Sequence, residues 1–306
     1  MPKAIIVAPE HDIHAFAVQL AGKNLGVEIS IKFPTDIRLS TFLGAGATKT
    51  FLRHPVLGEI AANEISGLWW RRPRWPDPDK VIAHPTASRV AAAESWQAIV
   101  GSLMATVKNV FNEPAKSAAA AVKLFQLEMA AFMGLRVPRT LVTNDPEQAR
   151  SFVENQSAGA ICKMLSGATA GPGFETHRLE KLGDLWRIKK CPIFLQEYVA
   201  GEHDVRVTVI GERVFSARIE FEKDQNCIDT RFTSKSISET RLPLDIEVKI
   251  ASLVRTLGLV YSAVDLRYSN GEYTFFELNP EGQYLWIEIE SGLAISAEIA
   301  RRLIVT

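Results

Sequence analysis

The apolar run from Lys3 to Ala8 predicts a strand, His11 to Asn24 a helix and Val27 to Phe33 a second strand, so the chain opens β-α-β. That order predicts an α/β N-terminal lobe. Ile65 to Trp70 is another apolar strand, ended by the prolines of RRPRWPDPD, and Ser88 to Val107 carries helical periodicity. The lobe closes near Asn112-Glu113-Pro114. Beyond it, SAAAAVKLFQLEMAAFMGL reads as one helix ending at Gly134, RTLVT as a strand and DPEQARSFVEN as a capped helix. AGAICKML is a strand bearing Lys163, followed by SGATAGPGFE, a loop with Gly167, Gly171 and Gly173, and then by a further strand. PIFLQEYVAG predicts a strand, HDVRVTVIGERVFSARIEF a hairpin turning at Gly211-Glu212, and Asp245 to Leu257 a helix. A final helix runs through Ile304, and no internal repeat is present.

One segment breaks the pattern. Tyr261 to Tyr268 and Glu272 to Asn279 are β-rich runs around Ser269-Asn270-Gly271, which predicts a hairpin with a three-residue loop. Pairing Tyr268 with Glu272 sets Asp265 opposite Phe275 and places Asp265, Glu277 and Asn279 on one face; a two-residue turn would put Asp265 on the other. Two carboxylates and an amide oxygen form a hard, oxygen-only ligand set suited to magnesium. An edge strand with solvated polar residues is the alternative.

Composition narrows the function classes. With 306 residues and 47% hydrophobic content, the chain can bury a large core in two or three lobes. Lys plus Arg equals Asp plus Glu at 35 each, so no overall basic field points to nucleic acid. MPKAIIVAPE reads as a first strand rather than a signal peptide, and no stretch reaches membrane-spanning length, so a cytoplasmic protein with no membrane partner is expected. Cys162, Cys191 and Cys227 lack disulfide or zinc spacing, and His11 and His14 are expected on a helix surface. LGAGATKT, residues 43 to 50, has Thr48 where a Walker loop needs glycine, and no GxGxxG or GxSxG occurs, so 43 to 50 is read as an ordinary loop.

A lysine ending a strand before a Gly-rich loop can clamp phosphate, because small residues let backbone N–H groups approach anionic oxygens. Lys163 has that place, and Arg206 and Arg218 lie on a hairpin that could face the same cleft.

The order of these features resembles the ATP-grasp ligases: Lys123 on a helix, Lys163 before its loop, QEYV, DVRV, SARI, then Asp265, Glu277 and Asn279 ending in NP. The resemblance covers roughly residues 115 to 306. It implies an ATP-grasp fold in which residues 1–114 are the pre-grasp domain, 115–199 the central lobe and 200–306 the C-terminal lobe, with ATP between the last two. It further implies that Lys123, Lys163 and the loop of Gly167, Gly171 and Gly173 contact phosphates. Gln196, Glu197, Tyr198 and Val199 would form the adenine hinge, and Asp204 would take the ribose-binding position. Asp265, Glu277 and Asn279 would hold two magnesium ions, and Arg206 and Arg218 would neutralise charge on the transferred phosphoryl group.

Three stretches resemble one branch, the MvdD-like graspetide (microviridin-type) synthetases: LWWRRP at 68 to 73, IDTRF at 228 to 232 and NPEGQYLWIEIESGLAISAEIA at 279 to 300. This branch implies that Arg231, in the DxR element, is catalytic. It also implies a precursor-peptide partner, whose leader binds near the hinge and whose acidic core side chains are phosphorylated and captured by Ser, Thr or Lys. Thr230 and Tyr284 stand where the family usually has Trp, which affects the peptide-facing surface. Trp69, Trp70 and Trp286 are read as core. A ligase acting on free amino acids or a protein C-terminus, and a non-catalytic ATP-binding module, are the other readings; a homodimer is the general expectation for a soluble oligomer.

Overall fold

Asp12 starts the first helix by accepting the Ala15 amide, and the helix then lays one face on a strand whose both sides are apolar. The structure, a computed structural model, describes residues 3–32, 37–44, 47–54, 58–72, 82–165, 176–179, 185–221 and 234–304. The N-terminal region comprises β1 (Lys3–Val7), α1 (Ile13–Asn24), β2 (Glu28–Lys32), β3 (Arg38–Gly44), β4 (Ala47–His54), β5 (Gly58–Ala61), β6 (Ile65–Trp70), α2 (Pro85–Thr106) and β7 (Val110–Phe111). Its main sheet is parallel, in the order β2-β1-β6-β7. Both faces are covered, as a parallel sheet requires: Ile6 and Trp69 share a core with α1, while Ile5, Val7, Leu68 and Trp70 share one with Ile99 and Leu103 of α2.

Residues 43–44 and 47–50, expected in a loop, are strand. Leu43 pairs with Thr48 and Gly44 with Ala47, so β3 and β4 form a hairpin extended by β5. The β-branched and aromatic residues of STF and TKTF override the glycines, and Leu52 anchors the hairpin in the core beneath α2.

The middle region holds α3 (Pro114–Ala120), α4 (Lys123–Phe132), β8 (Thr140–Thr143), α5 (Pro146–Glu154), β9 (Ala160–Lys163), β10 (His177–Leu179) and β11 (Ile193–Glu197), with an antiparallel sheet ordered β10-β9-β11-β8. The Ala-rich run is two helices, not one. Val122 is extended and caps α4, which makes Lys123 the first residue of that helix.

The C-terminal region holds β12 (His203–Ile210), β13 (Arg213–Phe221), β14 (Ser234–Glu239), α6 (Leu244–Thr256), β15 (Tyr261–Ser269), β16 (Glu272–Asn279), α7 (Leu285–Ser291) and α8 (Ile295–Arg302). Its antiparallel sheet runs β14-β13-β12-β15-β16. One face packs Val205, Val207, Val264, Leu266 and Leu278 against α4 and α6. The other is divided: Ile210, Ala217 and Tyr261 join α7, α8 and the N-terminal sheet in a common core, while the rest is polar. Among the described residues no helix is long and apolar enough to cross a membrane.

Asn112 ties these regions together. Its buried side chain donates to the carbonyls of Tyr261 and Pro280 and accepts the amides of Val260 and Tyr261, all within 2.9 Å. Asn112→Ala strands these buried partners and is expected to cost about 3 kcal/mol. Asn112→Asp, which turns a carboxylate toward two carbonyls, is expected to cost at least as much. Urea unfolding checks both, and a loss under about 0.5 kcal/mol would refute the role.

Candidate active site

The polar part of the C-terminal sheet begins as two cross-strand ion pairs side by side. Asp204 of β12 lies opposite Arg267 of β15, and Arg206 lies opposite Asp265, so charges alternate in sign along and across the strands. Arg206 Nη1 donates to both oxygens of Asp265 at 2.6 and 2.7 Å, and Arg267 donates to both oxygens of Asp204 at 2.7 and 3.0 Å. Each buried guanidinium also reaches a loop carbonyl, Arg206 that of Gln283 and Arg267 that of Val199. Two glycines allow this. A Cβ on Gly201 would meet the Arg267 side chain at 2.4 Å, and one on Gly282 would meet the Ala263 Cβ at 2.4 Å.

Glu277 joins these pairs through a correction of register. The turn is the two-residue Asn270-Gly271, both with positive φ (50° and 85°), not a three-residue loop. Unbroken pairing from Ser269–Glu272 would set Asp265 against Phe276. A bulge between Asp265 and Leu266 inserts one residue into β16, and Asp265 pairs with Glu277 instead. The expected shared face of Asp265, Glu277 and Asn279 therefore exists, produced by a bulge rather than by turn length. The bulge also turns Phe276 toward the site, where the Lys163 Nζ and the Arg267 guanidinium lie 5.0 and 5.1 Å from its ring centre.

Glu277 gathers a cation and an amide. Lys123 Nζ lies 2.7 Å from Oε2, and Asn279 Nδ2 donates to Oε1 at 3.1 Å. Burial opposes ionisation of Glu277, but the charge and hydrogen bond of Lys123, with Lys163, outweigh it and hold the carboxyl at about 2. Burial pulls Lys163 down to about 8, opposed by Glu277 and helped by Lys123. Burial raises Asp265 against the pull of Arg206, and Glu277 adds to the rise.

The remaining predicted residues divide. Gln196 is buried in β11, donates to Thr140 Oγ1 at 3.0 Å and has an amide oxygen without a hydrogen bond among the described residues. Glu197 accepts the Arg139 amide, Tyr198 lies under the Arg178 guanidinium, and Val199 contacts Arg267 through its carbonyl. Arg218 does not face the site. It pairs with Val205, one residue out of phase with Arg206, so it projects from the opposite sheet face and bonds Glu220. His14 is not on the surface either: it is buried 4.9 Å from the Tyr284 ring, and burial aided by Arg71 lowers its pKa to about 4. Gly167, Gly171, Gly173, Thr230 and Arg231 lie outside the described residues. Trp69 and Trp70 are core, and Trp286 packs on it. Sequence reasoning missed Arg267, Phe276, Gln126 and Arg71. Two of them left a signal: Arg267 as a basic residue on the face of Asp265, two positions along the strand, and Arg71 inside the LWWRRP stretch.

The donor set fits a magnesium ion. Asp265 and Glu277 are each about one-third exposed, and a carboxylate already accepting hydrogen bonds retains lone pairs for a hard cation.

The RimK-like ATP-grasp domain model matches residues 120–303, more than half of the chain. The chain belongs to the RimK-like ATP-grasp family. Among solved structures, this RimK-like protein is similar to the macrocyclase MdnC of Microcystis aeruginosa MRC bound with precursor peptide MdnA, with 26% identity, a TM-score of 0.85, and 99% of this chain and 100% of that one covered. It is also similar to the ATP-grasp ligase PsnB complexed with minimal precursor, Mg and ADP, at 25% identity, a TM-score of 0.77, and coverage of 98% and 96%. Among curated relatives, the ribosomal protein bS6–L-glutamate ligase of Escherichia coli O7:K1 (strain IAI39 / ExPEC) is 25% identical over 62% of this chain, and the match spans 65% of that ligase's length.

The ion-pair lattice makes a stability prediction for this RimK-like site. Arg206→Met leaves Asp265 a half-buried, unpaired charge and is expected to cost about 2–3 kcal/mol without nucleotide, discounted for the exposed edge of the carboxylate. Adding Asp265→Asn should recover most of the loss. A double mutant that unfolds as easily as Arg206→Met alone would refute the coupling.

Proposed function

We propose that this protein is an ATP-dependent ligase that phosphorylates Asp or Glu side chains of a ribosomally made precursor peptide and closes ester or amide macrocycles with Ser, Thr or Lys. The observation that carries the reading is the site itself: four cations, Lys123, Lys163, Arg206 and Arg267, ordered around three carboxylates, on a chain that aligns end to end with a macrocyclase bound to its precursor.

Residues 1–114 serve as the pre-grasp domain, 115–199 as the central lobe and 200–306 as the C-terminal lobe, with ATP between the last two. Gln196 to Val199 hold the adenine, and the free amide oxygen of Gln196 suits an amino-group donor. Asp204 is positioned at the ribose by Arg267. Lys123 and Lys163 bind phosphate oxygens, and Arg206 offsets charge at the transferred phosphoryl group. Asp265, Glu277 and Asn279 would hold two magnesium ions, which supply neutralisation of the phosphate charge when bound.

A substrate carboxylate oxygen attacks the terminal phosphorus of ATP, the bond to the bridging oxygen breaks, and ADP leaves. Arg206, Lys123 and Lys163 bear the charge that spreads over the phosphoryl oxygens. A hydroxyl or amine then attacks the acyl carbon, loses its proton and expels inorganic phosphate. Burial lowers Lys163 to about 8, so it remains largely a cation at neutral pH. The second reading, a ligase acting on free amino acids or a protein C-terminus, is favoured by the curated glutamate-ligase relatives, the bS6 ligase and a probable alpha-L-glutamate ligase of Shewanella loihica among them.

Purified protein is to be incubated with ATP, magnesium and hydroxylamine, which intercepts acyl phosphates, and offered separately acidic Thr- or Lys-rich peptides with leaders and free amino acids. Hydroxamate is expected on acidic peptide side chains, with ADP formed in step, and Glu277→Gln is expected to lower the rate about 100-fold or more. Hydroxamate from free amino acids alone would overturn the macrocyclase reading in favour of the second.

A further inference from the structure

Strand β16 carries Glu277 and Asn279 at the edge of its sheet, so among the described residues its outward backbone groups have no strand neighbour. At Leu278, between the two proposed ligands, a side chain takes that neighbour's place. Gln126 of α4 accepts the Leu278 amide at 2.7 Å through Oε1 and donates to the Leu278 carbonyl at 3.1 Å through Nε2. Nε2 also donates to the Ala120 carbonyl at 2.9 Å, across the break between α3 and α4. The side chain is 2% exposed, and its amide oxygen and nitrogen are both engaged.

The geometry ties this anchor to the chemistry. Lys123 lies three residues before Gln126, one helical turn away on the same side of α4, and it is Lys123 that meets Glu277 at 2.7 Å. A helix held at Leu278 by a two-point amide bond cannot slide along the strand or turn about its axis without breaking that bond. We infer that Gln126 is a positioning residue, which sets the register of α4 on β16 and thereby fixes the Lys123 ammonium against Glu277 at the phosphate end of the nucleotide site. The role rests on the nucleotide reading above. A second tie, the Phe275 amide donating to the Arg136 carbonyl at 2.8 Å, holds the other end of this segment, so loss of the side-chain anchor loosens the register without releasing the helix.

Gln126→Met keeps the volume and removes every hydrogen bond; Gln126→Leu repeats the test with a different packing shape. Hydrogen exchange of the apo protein is expected to show a faster Leu278 amide in either variant, at an unchanged unfolding cooperativity. Calorimetric titration with ADP and magnesium is expected to show about tenfold weaker binding for Gln126→Met in the wild-type background, and under about twofold further loss in a Lys123→Met background, because the anchor acts through that lysine. Additive losses would assign Gln126 a general structural role and overturn the inference. An unchanged Leu278 exchange rate would overturn it independently of any nucleotide. Wild-type protein that does not bind ADP would overturn the nucleotide reading and the positioning role together, while the exchange data would still report whether the anchor exists.

Discussion

A carboxylate drawn partly out of water keeps its charge only beside a cation, and Glu277 keeps its charge because Lys123 arrives 2.7 Å away from a different part of the chain. The surrounding structure serves that meeting. The α3–α4 break puts Lys123 on the first turn of its helix, where an interior position of one continuous helix would leave it on another heading. The bulge in β16 brings Glu277 opposite Asp265, and Gln126 clamps the two elements at the residue between Glu277 and Asn279. Behind Asp265, Arg206 supplies the next positive charge and holds the Gln283 carbonyl, so the loop after β16 folds back over its own strand.

That loop is also where the N-terminal region reaches the site. Arg71, fully buried beside Trp69, donates to the carbonyls of Glu281 and Gly282, and its guanidinium lies 3.4 Å from Asp12. The Tyr261 hydroxyl donates to the same Gly282 carbonyl, and Asn112 binds that of Pro280. The loop thus takes hydrogen bonds from four side chains, those of Arg71, Tyr261, Asn112 and Arg206, and its shape from Gly282, which no larger residue can replace without displacing Ala263 or Arg206. Only Nη1 of Arg71 donates, to the two carbonyls, while Nε and Nη2 have no hydrogen-bond partner among the described residues and Asp12 supplies the opposing charge, so this arginine is buried at a cost where rigidity positions charged groups.

Alternating cations and anions give the site an electrostatic property that a uniformly basic pocket lacks. Each guanidinium is already held by a carboxylate, so neither is a loose positive charge, and the cluster as a whole is one charge positive. Such a cluster attracts a polyanion while paying little to reorganise when it arrives. Phe276, with cations on its ring, covers Lys163, and burial there lowers the lysine to about 8.

Hydrophobic periodicity by itself determined the β-α-β opening, the alternation of strands and helices and the polar pair on β16, because burial requires apolar residues at fixed spacings. Spacing and residue type likewise marked Lys123, Lys163, Asp265, Glu277 and Asn279. Whether those residues share a face was not local information: it depended on a turn two residues long and a bulge that offset it, and a one-residue difference reverses every side chain of a strand. The same parity sent Arg218 to the far side of the sheet from Arg206, although both lie on one hairpin. Gln126 and Asn112 are ordinary polar letters in the sequence, and Arg71 stands in the LWWRRP stretch with nothing there to say what it binds. Their roles come from backbone groups more than a hundred residues away, and only the tertiary structure decided which carbonyls and amides would need them.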